Sequence, residues 1–132
     1  SILGHFGSPK LAAYAASKHA VVGYFESIQY ELRKSDVHIG IVSPGFINTA
    51  VTLNSLGPNG APIGKNSVAQ EKGMRPLDFA TKFLKLSNKR RPKKHLLIGR
   101  YEIHSVLFKR YPPKLFFLVY GKLTDVTRQK KN

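Results

Sequence analysis

The sequence predicts an α/β fold built on a doubly wound parallel sheet. Residues 11–34 carry Val21, Phe25, Ile28 and Leu32 at helical spacing, over a length no ordinary strand reaches. Val37-His38-Ile39-Gly40-Ile41-Val42 follows at once and is short, β-branched and mostly apolar, the mark of a buried parallel strand. A second helix–strand succession comes later, and helices alternating with strands build parallel sheets.

The elements are justified in order. Residues 4–10 hold two glycines and a proline and are expected to form a loop. The long helix then runs to about Lys34, with Ser35-Asp36 as its end. Its apolar stripe should face a core or a partner helix. Ser43-Pro44-Gly45 stops the strand. Residues 50–73 are rich in Gly, Pro, Asn and Ser and read as a long loop with short helical turns, and loops of this length are usually functional or mobile. Pro76 suits the first turn of a helix reaching about Ser87, where Leu77, Ala80, Phe83 and Leu84 share a face. His95-Leu96-Leu97-Ile98-Gly99 reads as another strand. Residues 101–127 mix aromatic and basic side chains around Pro112-Pro113, and no internal repeat is present.

The 132 residues suffice for one domain. Lys and Arg number 22 against 7 Asp and Glu, a formal charge of +15 that favours anionic partners. With 42% hydrophobic residues the composition is that of a globular chain. Cysteine is absent, which excludes disulfides and thiolate metal sites. The five histidines show no metal-ligand spacing, so no metal site is expected and all five are read as structural or exposed. No segment approaches the ~20 apolar residues that span a bilayer. Neither an initiator methionine nor a signal peptide opens the sequence, and Met74 is its single methionine. The expectation is therefore a piece of a longer protein whose N-terminus lies elsewhere.

The chemistry centres on Tyr14-Ala15-Ala16-Ser17-Lys18. Residues four apart share a helix face. A phenol ordinarily ionises near pH ~10. A cation about 4 Å away contributes on the order of 4 kcal/mol at an effective dielectric of about 20, which favours the phenolate. Such a pair is a candidate proton donor. Tyr-x-x-x-Lys alone is usually only a solvated pair, but here small residues surround the tyrosine (Ala12, Ala13, Ala15, Ala16, Ser17) and let other groups approach the helix. Ser1 stands thirteen residues before the tyrosine, across a twelve-residue gap, and could hold a substrate oxygen. Pro44-Gly45-Phe46-Ile47-Asn48-Thr49 lies at the carboxyl end of a strand, where open α/β sheets bind ligands.

The serine, the Tyr-x-x-x-Lys run and the Pro-Gly-x-x-x-Thr turn, in this order, resemble the short-chain dehydrogenase/reductase superfamily. Residues 1–127 resemble the C-terminal half of its Rossmann-type domain, with 128–132 as a basic tail. The resemblance implies hydride transfer between a nicotinamide dinucleotide and an alcohol or carbonyl. In it Tyr14 is the acid/base, Lys18 favours the ionised tyrosine and holds the nicotinamide ribose, and Ser1 orients the substrate oxygen. Pro44, Gly45, Ile47 and Thr49, together with Tyr14 and Lys18, are the implied cofactor-binding positions. NADP or NAD is the implied cofactor, with NADP(H) favoured. The family's Gly-rich phosphate loop, its NAD/NADP selector and its catalytic asparagine belong to a first half that these residues do not include, so this polypeptide alone is expected to be inactive.

Ala13 to Ala20, Ile41 to Thr49 and the basic, Pro/Phe-rich C-terminus look like the 7B-type branch, itself similar to the 11β-hydroxysteroid dehydrogenase type. That resemblance implies a lipophilic substrate (steroid, retinoid or lipid-derived), association with endoplasmic reticulum membrane through an anchor outside this sequence, and a homodimer through the Tyr14 helix using Val21, Phe25 and Ile28.

Other features stay open at this level. Lys89-Arg90-Arg91-Pro92-Lys93-Lys94 is either a solvated loop or a contact for an anionic membrane surface. Leu115-Phe116-Phe117-Leu118-Val119-Tyr120 could enter a membrane interface, cover a substrate pocket or pack in the core. Gly60-Ala61-Pro62-Ile63-Gly64-Lys65-Asn66 lacks the glycine spacing and the Ser/Thr of a phosphate loop and is read as part of the substrate loop. The competing function is a non-enzymatic module working on membrane or nucleic acid through its basic surface, with nucleic acid the less expected partner.

Overall fold

The computed structural model describes residues 1–57, 59–90 and 92–125. Arg91 of the basic run and the tail 128–132, with Arg128, Lys130 and Lys131, lie outside the described residues. A 3-10 turn, Ile2–Gly4, precedes helix α1 (Ala12–Glu31) and strand β1 (Ile41–Pro44). The short helix α2 (Val68–Glu71), helix α3 (Pro76–Ser87) and strand β2 (His95–Ile98) follow. A second 3-10 turn, Tyr101–Ile103, leads into α4 (His104–Arg110) and α5 (Pro113–Leu123). Strands β1 and β2 pair in parallel, Ile41 opposite His95 and Pro44 opposite Ile98. This is a mixed helix–strand arrangement with a parallel two-stranded sheet flanked by helices, consistent with part of a Rossmann-type fold.

The first strand is shifted from its sequence expectation. Val37 and His38 are exposed, and pairing begins only at Ile41. The partner decides this. β2 begins at His95, so residues 37–40 have no strand beside them, and a strand exists only where a ladder can form. The buried Gln29 of α1 meets the chain here, its side-chain amide donating to the Ile39 carbonyl at 3.1 Å and the Lys94 carbonyl at 3.3 Å. Pro44 closes the strand, where its missing N–H costs nothing because the Gly45 amide makes the next bond, to the Ile98 carbonyl at 2.9 Å.

Two apolar clusters hold the chain together. Met74, Leu96 and Ile98 pack with Val42, Ile47, Phe79, Phe83 and Leu86, so α3 covers one side of the sheet. Ile2, Phe6 and Phe116 pack with Ile103, Val106, Phe108 and Tyr120, which fastens α4 and α5 beneath the N-terminal turn. Of the run 115–120, Phe116 is core, while Leu115, Phe117 and Leu118 are exposed. Helix α1 buries Ala15 and Gln29 and leaves Val21, Tyr24 and Phe25 exposed. Of the apolar stripe read from its sequence, Val21 and Phe25 are thus exposed, while Ile28 and Leu32 are half-buried.

The 50–73 loop folds on itself. Leu56 bridges Pro62, and Gly60 and Gly64 turn the chain with φ of 74° and 66°. Its glycines serve a local turn, in keeping with the rejection of a phosphate loop.

Candidate active site

Helix α1 presents Tyr14 and Lys18 one turn apart. The Lys18 ammonium stands over the Tyr14 ring, 5.3 Å from its centroid. That is cation–π distance, and it pairs the positive charge with the phenol. Tyr14 is 44% exposed, so its hydroxyl-bearing ring is open to a ligand rather than sealed in a core. Two surface hollows, one lined by Gln29, Arg33 and Asp36 and the other by Gly73, Arg75 and Arg100, do not include this pair.

Ser1 reaches the same helix through the turn it caps. Its hydroxyl accepts from the Leu3 amide at 3.2 Å. Gly4 lies directly on α1: a Cβ there would stand 3.0 Å from a Val22 methyl and 3.1 Å from the Lys18 carbonyl oxygen. A side chain there would crowd the helix, so glycine eases this approach. The structure thus seats the Ser1 turn against α1 at the Lys18 backbone and Val22.

The Pro44–Thr49 turn leaves the carboxyl end of β1 and is braced from the loop side. The Asn48 amide donates to the Met74 carbonyl at 2.9 Å, and the Met74 amide to the Phe46 carbonyl at 2.8 Å. Gly73 fits between them, since a Cβ there would come within 2.8 Å of the Phe46 carbonyl oxygen and 2.9 Å of the Asn48 nitrogen. The buried Gln70 donates its side-chain amide to the Ile47 carbonyl, and to the Thr49 hydroxyl at 3.4 Å. The Ile47 carbonyl and the Thr49 hydroxyl thus both accept from one primary amide, that of Gln70.

Three residues of this region were not singled out as site residues in the sequence. Gln70 was hidden in a polar loop. Glu102 is buried, and its carboxylate accepts from the Phe46 and Arg100 amides at 3.0 and 3.1 Å. Its one sequence signal is an acid, scarce in this basic chain, just after a strand. His5 was read only as structural or exposed. Its Nε2 and the hydroxyl of Ser43, the latter 2% exposed, share a hydrogen bond of 2.9 Å. His19 Nδ1 meets the Ala15 carbonyl oxygen within its own helix at 2.8 Å, and His95 Nε2 stands 3.4 Å from the Glu26 carboxylate across the fold. Among the described residues no group of three or more His, Asp or Glu could hold a metal.

Burial first, then the His95 and His19 charges, push the His5 imidazole below its ordinary value, against an opposing effect of Glu26. The folded chain binds fewer protons here than the unfolded chain. This contribution to stability is complete above pH ~6.5 and is lost as pH falls through the lowered folded value. Urea midpoints should accordingly fall below pH ~6.5, and His5→Asn should flatten that slope; an unchanged slope would remove His5 as its source.

The sequence itself matches known proteins. Residues 1–57 match the family model for short chain dehydrogenase. The chain is 33% identical over 126 residues to "Dehydrogenase/reductase SDR family protein 7-like" of Anopheles gambiae, covering 95% of this chain and 39% of that protein. It is 29% identical over all 132 residues to "Dehydrogenase/reductase SDR family member 7B" of Rattus norvegicus, covering 40% of that protein. The chain thus spans about two fifths of the length of the curated relatives it matches.

Proposed function

We propose, from the premise that this chain belongs to the short-chain dehydrogenase/reductase superfamily on its 7B-like branch, that the full-length protein is an NAD(P)(H)-dependent oxidoreductase acting on an alcohol or carbonyl. The observation that carries this reading is the Lys18 ammonium over Tyr14 on the helix against which the Ser1 turn also packs. The nicotinamide, when bound, supplies or accepts the hydride. In the reductive direction Tyr14 gives its proton to the substrate oxygen as negative charge develops there. Lys18 favours the phenolate that remains. Ser1 donates a hydrogen bond to the same oxygen and orients it. Ile47 and Thr49 would hold the carboxamide, and Lys18 the ribose. NADP(H) is the proposed form.

The substrate is proposed to be lipophilic, a steroid, retinoid or lipid-derived carbonyl. The test is oxidation of NADPH and NADH by the full-length protein in membranes against a panel of such ketones and aldehydes, beside Tyr14→Phe. A protein that neither binds nor oxidises either dinucleotide would overturn the reading in favour of a non-enzymatic module.

Two surfaces extend the proposal. The exposed Val21, Tyr24 and Phe25 of α1 offer a face to a second copy of the protein. On α5, Leu115, Phe117 and Leu118 are exposed between Lys114 and Lys122, with Leu123 exposed just beyond, an arrangement that suits the interface of an anionic membrane, here proposed as that of the endoplasmic reticulum. No helix among the described residues is long and apolar enough to cross a membrane. Phe117→Ser with Leu118→Ser should weaken binding to phosphatidylserine vesicles by about tenfold or more, since each buried apolar side chain contributes ~1.5–3 kcal/mol; unchanged binding would dismiss this surface.

A further inference from the structure

Glu102 joins the two turns at the carboxyl ends of the sheet, and nothing in the proposed chemistry uses it. It is 8% exposed. Its Oε1 accepts from the Phe46 amide at 3.0 Å and from the Arg100 amide at 3.1 Å. Phe46 lies two residues beyond the last residue of β1, and Arg100 two beyond the last of β2. One carboxylate oxygen therefore spans the exits of both strands, the side of an open α/β sheet where ligands bind.

The space this side chain fills is one that glycine leaves. A Cβ on Gly45 would collide with Oε1; one on Gly99 would stand 2.5 Å from an Ile103 methyl, 2.8 Å from the same Oε1 and 3.2 Å from the Gly45 Cα. Gly45 and Gly99 are the first residues after β1 and β2 in the paired register. Two glycines at matching positions thus make room for one acid. Burying a carboxylate is costly unless its hydrogen bonds are met, and backbone N–H groups meet them here.

We infer that Glu102 is a positioning residue for the Pro44–Thr49 turn. By fixing the Phe46 amide it sets the orientation from which the adjoining Ile47 carbonyl and the Thr49 hydroxyl face a carboxamide. The inference rests on the dinucleotide reading of that turn. A residue that served only as a strut would affect unfolding and leave the response to cofactor alone.

The experiment compares Glu102→Gln and Glu102→Asp in the full-length protein. Gln keeps an acceptor oxygen at the same reach; Asp keeps the charge and withdraws the oxygen by one methylene. Glu102→Asp should raise the KM for the dinucleotide by about tenfold, as for one hydrogen bond lost with its acceptor, with kcat within about threefold of the unmodified protein. Glu102→Gln should stay within about threefold in both. An unchanged KM in Glu102→Asp would overturn the inference. So would equal losses in both variants, which would assign the effect to charge rather than to the acceptor, and so would a Glu102→Asp protein that does not fold, which would make the residue a strut. An unmodified protein that binds dinucleotide beside unresponsive variants brings down the positioning role alone; one that binds none brings down the dinucleotide reading itself.

Discussion

Tyr14→Phe in the full-length protein is expected to lower kcat/KM by about 10²-fold or more, the usual contribution of a positioned general acid. The geometry makes the substitution clean. It removes one oxygen from a side chain that is 44% exposed, so no core is disturbed. The ring remains, and with it the face that the Lys18 ammonium covers at 5.3 Å from the centroid. Dinucleotide affinity and unfolding midpoint should therefore stay near those of the unmodified protein while turnover collapses. Steady-state NADPH or NADH oxidation with a competent carbonyl, alongside a dinucleotide titration, separates the two. Full turnover in the variant would remove Tyr14 from the chemistry.

Phe116→Ala should cost about 3–5 kcal/mol of stability, the range for truncating a buried aromatic side chain. Phe116 is 2% exposed. Its ring meets Phe6 edge-on at 5.6 Å and Phe108 edge-on at 5.7 Å, and stacks on Tyr120 at 5.0 Å. Ile2 and Phe6 of that cluster belong to the segment that carries Ser1. The Tyr120 hydroxyl also donates to Ser8 Oγ at 3.1 Å, and the Lys109 ammonium to the His5 carbonyl at 2.8 Å. The cavity thus opens under the turn that orients the proposed substrate-binding serine, and turnover should fall together with the urea midpoint. The neighbouring Phe117, 66% exposed, is the control: its alanine variant should shift stability by no more than about 0.5 kcal/mol. Equal losses at both positions would refute the packing described here.

The two outcomes reflect what local sequence can encode. Tyr14 and Lys18 stood out in the sequence because their partnership is a matter of spacing: four residues on a helix put them on one face whatever surrounds them. The helix around them, the Pro76–Ser87 helix and the short β2 strand were legible for the same reason, being set by periodicity and by a proline at a helix start. Phe116 and Phe117 were indistinguishable, since each sits in one apolar run and nothing local says which side the rest of the chain will cover.

The sequence by itself determined the α/β class, the long first helix, the Pro76–Ser87 helix, the β2 strand and the spacing that puts tyrosine and lysine on one helix face, while helices α4 and α5 lay in a stretch it read only as aromatic and basic. Tertiary structure alone decided that β1 starts at Ile41, because a ladder needs the partner that begins at His95. It alone decided that Gly4 seats the Ser1 turn on α1, that Gln70 faces the acceptors of Ile47 and Thr49, and that Glu102 fills the room left by Gly45 and Gly99. The physical reason is common to these cases. They join groups that lie apart in the chain, as Phe46 and Glu102 are separated by 56 residues. Such contacts depend on which backbone amides, methyls and voids the folded chain brings within ångströms of one another, and no local pattern carries that information.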